Sequence, residues 1–152
     1  MSAMQQRVRA VLVTNAGHII FIERIKADIE PYFILPGGGV EPEDGDLEAA
    51  LRRELCEELH GEVEILASVF VDDEIKDDGT LMRHHVYLCR IGTYDPQQRS
   101  GPEFGDPANG LYSTVEVPFE PDVLRALNIR SAALGAFLID HAAALRAAAL
   151  TP

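Results

Sequence analysis

PGGGVEPEDGDLEAALRRELCEELHG, residues 36–61, is the stretch whose reading decides the fold. Its second half, LEAALRRELCEEL, is dense in Ala, Leu, Arg and Glu and free of Gly and Pro, which predicts a helix over about 47–59 with Asp46 as its N-cap. On a wheel with Leu47 at zero, Leu51, Leu55 and Leu59 fall at about 40°, 80° and 120°, so one face is apolar. Glu54, Glu58 and Glu57 fall at about −20°, 20° and −80°, beside and partly within the stripe that should meet the core. Acids three and four residues apart repel one another, and partial burial makes their ionisation costlier still. Arg53 can orient one carboxylate. A hard divalent cation with oxygen ligands, Mg²⁺ or Mn²⁺, complements all three. The competing reading is a solvated helix whose Glu and Arg side chains pair along its surface, and the helix alone leaves both readings open.

Outward from this stretch the chain alternates strands and turns. VRAVLVT and HIIFIERI flank an Asn and Gly turn, which predicts a hairpin between Arg7 and Ile25. FIL at 33–35 is a short apolar segment that should break at Pro36 and the three glycines behind it. VEILASVFVDDEI and LMRHHVYLCRIGTY predict a second hairpin around KDDGT. Segment 95–111, rich in Pro, Gly and Gln, is long enough to suggest a functional loop. YSTVEVPF is a further strand, and from about residue 121 the pattern is helical to near the end, with a fraying Ala-rich tail after Ala142. Strands and helices in this order imply an α/β fold with a mixed sheet between helices.

Length and composition set limits. The 152 residues suit a single domain over 1–152, long enough to bury a core without disulfides. The amino terminus has no run of signal-peptide length, and no later stretch approaches the roughly 20 apolar residues of a bilayer span. A cytoplasmic protein without a membrane partner is the expectation. Cys56 and Cys89 are expected to be two buried free thiols. A net charge of −12 argues against a nucleic-acid polymer as partner. It admits a small anionic substrate, provided a cation bridges substrate to protein.

The glycines before the helix allow a sharp turn and let backbone carbonyls approach a ligand. They form no phosphate loop, since Gly-Lys-Ser/Thr is missing and Pro42 stands where a third dinucleotide-loop glycine would be. Gly37, Gly38, Gly39 and Glu41, then Ala50, then Arg53-Glu54-Leu55-x-Glu57-Glu58 resemble the Nudix box. That box is a Gly-x5-Glu-x7-Arg-Glu-U-x-Glu-Glu-x-Gly-U loop and helix, with U a bulky aliphatic. Nearly the whole chain is similar to the family's order of elements, and the resemblance implies a Nudix-type α/β/α sandwich. Two positions depart from the pattern. Asp44 stands where counting from Gly38 puts a Glu, and eight residues instead of seven separate it from Arg53, so one residue is inserted near Gly45. His60 occupies the glycine position at the helix end; either it adopts the left-handed conformation, or the helix runs on to use Gly61 as its cap.

The resemblance implies a Mg²⁺-dependent pyrophosphohydrolase that cleaves a phosphoanhydride bond in a nucleoside diphosphate derivative, with Mn²⁺ an alternative ion. Ordinary or oxidised nucleoside triphosphates, ADP-ribose and dinucleoside polyphosphates are all candidate substrates. Glu54, Glu57 and Glu58 would ligate the metal with the Gly37 carbonyl, and Glu103 in the long loop would add a carboxylate when substrate is bound. Asp106 and Glu116 compete with Glu103, although Glu116 should face solvent. Glu54 is the first choice for the base that takes a proton from attacking water, with Arg53 beside it in the catalytic pair. Arg24, at the end of the second strand, and Gly38 are expected to bind substrate. Tyr32 is read as packing before base stacking, and His84 and His85 as hydrogen-bonded strand residues. The rival function is a catalytically weak nucleotide-binding module of the same fold. An isoprenyl diphosphate isomerase is disfavoured because its additional metal-binding His and reactive Cys have no counterpart here. A homodimer is left open.

Overall fold

The structure, a computed structural model, describes residues 4–95 and 111–151. Both hairpins form as the alternating runs dictate. Strands β1 (Met4–Val13) and β2 (His18–Ile25) make the first, β5 (Val63–Ile75) and β6 (Leu81–Ile91) the second. Gly17 and Gly79 take positive φ of 78° and 85° in the two turns, a conformation that a side chain disfavours. With β3 (Tyr32–Ile34), β4 (Gly37–Gly39) and β7 (Leu111–Pro118) they build a sheet of order β3-β2-β1-β6-β5, in which β4 pairs β1 and β7 pairs β2. The β1–β6 contact is parallel and the others antiparallel, so the sheet is mixed.

Strands β1 and β2 pair only near their turn, at Val13 and Ile19. Beyond it β1 takes β4 as neighbour, while β2 takes β3 and β7. The glycines therefore do not break the chain as the sequence suggested. They form β4, with Gly37 opposite Arg9 and Gly39 opposite Arg7. The missing side chain is the reason: Gly37 has φ 146°, and a Cβ there would strike the Val8 carbonyl.

Helix α1 (Leu47–Leu59) has the expected bounds, and Asp46 Oδ1 accepts the Ala49 N–H at 2.7 Å as its N-cap. His60 ends it in the left-handed region at φ 47°, donating its N–H to the Cys56 carbonyl at 3.0 Å. Gly61 serves differently: a Cβ there would press on the side chains of Ile91 and Tyr94. The carboxy-terminal part departs from the expected continuous helix. It divides into α2 (Pro121–Arg125) and α3 (Ala132–Leu150). Between them the chain crosses to β3, where Phe33 donates to the Asn128 carbonyl at 2.8 Å and Arg130 donates to the Phe33 carbonyl at 3.0 Å. Tertiary backbone pairing overrides a helical composition there. The tail does not fray either; Leu145 and Ala149 are buried, and Arg90 Nε donates to the Ala149 carbonyl at 2.7 Å.

Alternation along β1 divides the core. Val8, Ala10 and Leu12 meet Leu51, Leu55 and Leu59 of α1, while Val11 and Val13 meet Leu134, Leu138 and Leu145 of α3 on the other face. Helices thus cover both faces. By length and a mean hydropathy of 1.4, α3 could cross a membrane, which the sequence reading did not anticipate. Here that apolar character serves core packing on one side of the helix. Of the two thiols expected to be buried, Cys89 is, and desolvation pushes it up to about 12. Cys56 is exposed, because it lies opposite the apolar stripe of α1.

Candidate active site

One turn of α1 separates Glu54 from Glu58, and both are buried, with 7% and 6% of their surface exposed. The side chain of Glu57, at the stripe's edge, is a quarter exposed. Burial of Glu54 and Glu58 follows from the wheel, which puts them in the apolar stripe. Glu58 Oε1 accepts the Gly37 N–H at 2.7 Å. The Glu54 carboxylate lies against Gly38, where a Cβ would collide with it. Gly38, expected to contact substrate, therefore makes room for Glu54, and Gly37 is tied to the acid face through its N–H.

Arg53 is the hub. Its NH1 donates to Glu54 Oε1 at 3.0 Å and lies 3.5 Å from Glu57 Oε1. Its Nε and NH2 donate to the two oxygens of Asp44 at 2.7 and 2.9 Å, and NH2 also donates to the Gly39 carbonyl at 2.9 Å. Asp44 closes a 3-10 turn over Pro42–Asp44 and accepts the Glu41 N–H at 2.7 Å. It therefore takes the place of the box's structural acid despite the shifted count. Gly45 absorbs the inserted residue, at a φ of 86° that glycine tolerates. The bidentate hydrogen bond from Arg53 holds Asp44 down at about 2, and the same bond raises Arg53 further above its ordinary range.

The three helix acids share one surface, yet among the described residues no three His, Cys, Asp or Glu side chains are gathered closely enough to hold a metal ion. Glu58 is turned to the Gly37 N–H, and Glu54 and Glu57 lean toward Arg53. The donor set itself fits a hard cation: three carboxylates stand on one helix face, two of them buried, and Arg53 pairs with Glu54 and Glu57. Glu103 and Asp106 lie outside the described residues. Glu116 does not simply face solvent; it accepts from Tyr94 Oη at 2.6 Å and pairs with His18 at 2.8 Å.

Where β1 and β2 diverge, a cavity of about 290 Å³ opens, bounded by Arg7, Arg9, Arg24, Tyr32, Leu35 and Arg130 among others. Arg24 was singled out from sequence, and its guanidinium lies 4.2 Å over the Tyr112 ring. Tyr32 is buried in the wall. The sequence reading missed Arg7, Arg9 and Arg130. Only the alternation Arg7-Val8-Arg9 within an apolar strand could have flagged the first two. Arg9 NH1 donates to the Leu35 carbonyl at 3.2 Å. Burial, then Arg7, pulls Arg9 down to about 10, opposed by Glu58 and Glu54. His84 and His85 bond to Glu74 and Gln6 at 3.1 and 2.8 Å, the hydrogen-bonded strand residues that were expected.

A mixed sheet lies between helices, with an acid-bearing helix behind a glycine segment, and the family match assigns this arrangement to hydrolases of phosphoanhydride bonds. The NUDIX domain model matches residues 4–123, and the chain belongs to the NUDIX family. Its fold is that of the E. coli ORF135 protein, known from a solution structure, at 22% identity over 97% of this chain and 94% of that one, with a TM-score of 0.67. A Nudix hydrolase from Nitrosomonas europaea matches at 18% identity over 93% and 90%, with a TM-score of 0.71. A MutT Nudix hydrolase from Burkholderia pseudomallei matches at 22% identity over 91% and 98%, with a TM-score of 0.62. No curated protein matches the chain. Nudix hydrolases act on nucleoside diphosphate-linked substrates and generally use divalent cations.

Proposed function

We propose that this chain hydrolyses a phosphoanhydride bond in a nucleoside diphosphate derivative, with Mg²⁺, or Mn²⁺ in its place, held by Glu54, Glu57 and Glu58. The observation that carries this reading is the burial of Glu54 and Glu58 on one helix face, with Arg53 paired to Glu54 and Glu57, Glu58 accepting the Gly37 N–H, and the Arg9 charge felt by both buried acids. Carboxylates buried at such cost point to a further cation. The Gly37 carbonyl and Glu103 are the additional ligands proposed. A divalent ion held by these residues would supply Lewis-acid chemistry there, favouring ionisation of water and offsetting phosphate charge.

The chain's own groups do the rest. Glu54 takes the proton from water, and Arg53 aims it through the 3.0 Å contact. Asp44 fixes Arg53 from behind with a bidentate bond. Gly38 leaves room for the Glu54 carboxylate. Arg24 supports a substrate phosphate from the cavity wall. The test incubates the protein with Mg²⁺ and a panel of nucleoside diphosphate derivatives, separating products by chromatography. Cleavage of at least one member between its phosphorus atoms supports the reading, and intact compounds throughout would leave a nucleotide-binding module.

A further inference from the structure

The cavity beside the acid face has a charge balance opposite to that of the molecule. In a chain of net charge −12, its wall holds four arginines, Arg7, Arg9, Arg24 and Arg130, against two carboxylates, Asp72 and Glu74. Strand alternation puts Arg7 and Arg9 on the face of β1 that carries Val11 and Val13 toward α3. Backbone pairing of 128–130 with β3 delivers Arg130, whose guanidinium lies 4.2 Å over the Tyr32 ring. Stacking on an aromatic face fixes a guanidinium while leaving N–H groups in its plane for an acceptor.

Each of the two carboxylates is engaged by a neighbour in the same wall. Glu74 pairs with His84 at 3.1 Å, and Asp72 accepts the Ser131 hydroxyl at 2.5 Å. Among the described residues, Arg7, Arg9 and Arg130 form no ion pair; Arg7 Nε meets Met82 Sδ at 3.0 Å and Arg9 meets the Leu35 carbonyl. Like charges held together in a partly desolvated cavity cost free energy that an entering anion recovers. The cavity also adjoins the acids. Leu35 is in its wall, and two residues on Gly37 donates to Glu58.

In the hydrolase reading the cleaved diphosphate lies at the acid face and Arg24, which leaves three arginines without a role. We propose that Arg7, Arg9 and Arg130 bind a phosphomonoester that the substrate carries beyond the diphosphate, so the preferred class is a phosphorylated nucleoside diphosphate derivative. The proposal rests on that reading for the position of the diphosphate.

Two matched pairs test it, each differing by one phosphomonoester: NADP⁺ against NAD⁺, and coenzyme A against its 3′-dephospho form. Isothermal titration in EDTA is expected to show the phosphorylated member of at least one pair binding about tenfold or more tightly, the scale of a charge-assisted contact. Arg130→Gln and Arg7→Gln should each draw that ratio toward one, with an unchanged melting temperature. Equal affinities within both pairs would overturn the proposal. So would variants that weaken both members equally, since the arginines would then serve the diphosphate itself. Hydrolysis of the same compounds with Mg²⁺ separates the two readings. Selective binding with no cleavage would count against the hydrolase and leave the phosphate preference standing, whereas cleavage without preference would do the reverse.

Discussion

The acid face of α1 and the arginine-lined cavity hold their charges in different ways. On α1 each carboxylate has a fixed partner: Glu58 the Gly37 N–H, Glu54 and Glu57 the Arg53 guanidinium, with Asp44 anchoring Arg53 in turn. Across β1, Arg24 and Arg130 lie over tyrosine rings and Arg7 and Arg9 over an open volume. Groups locked by hydrogen bonds are preorganised, which suits a reacting centre. Cations around a cavity suit selection of an anion. Damage to the first region should therefore appear in kcat, and damage to the second in KM.

The largest expected effect is at the acids. Glu54→Gln or Glu57→Gln should lower kcat by about a hundredfold or more, the scale for losing a preorganised electrostatic element, with KM changed little. Without metal the melting temperature of Glu57→Gln should hold or rise, because repulsion along α1 is relieved. Unfolding of that variant would instead make the acids structural. Asp44→Asn should come next, lowering kcat by about ten- to a hundredfold, as for a group that orients a ligand from behind.

Asp44→Asn also has a pH signature. A carboxylate held at about 2 in the folded protein, against about 3.9 unfolded, contributes stability that is complete above pH 4 and is lost as pH falls toward 2. The wild-type melting temperature should fall through that window, and the variant's slope there should be shallower. Equal slopes would show that the Asp44–Arg53 pair carries little. Arg24→Gln should raise KM about tenfold while kcat holds, the contrast on which the two-region comparison depends.

Legibility followed the range of the forces involved. Helix α1, its Asp46 cap and both hairpins were readable because periodicity and turn residues act within a few positions. The acid face was readable because one helix carries it. The cavity was only half visible: Arg24 and Tyr32 stood out, but Arg130 reaches the wall through pairing of 128–130 with β3, about a hundred residues away in sequence. The same long-range pairing split α2 from α3. Asp44 as the partner of Arg53 depended on Gly45 absorbing an inserted residue, which motif counting left open. Smaller tests follow from these local features. Asp46→Ala should cost about 1 kcal/mol, measured by urea unfolding, through loss of the Ala49 cap. His60→Gly should gain about 0.5 kcal/mol by relieving the left-handed residue.

The measurement that bears most directly on the central claim is a Mg²⁺ titration of phosphoanhydride hydrolysis by the wild-type chain, begun in excess EDTA. Turnover is expected to be absent in EDTA, to appear with added Mg²⁺ and to rise toward alkaline pH. Full turnover in excess EDTA would contradict the account and assign the burial of Glu54 and Glu58 to the packing of α1 alone.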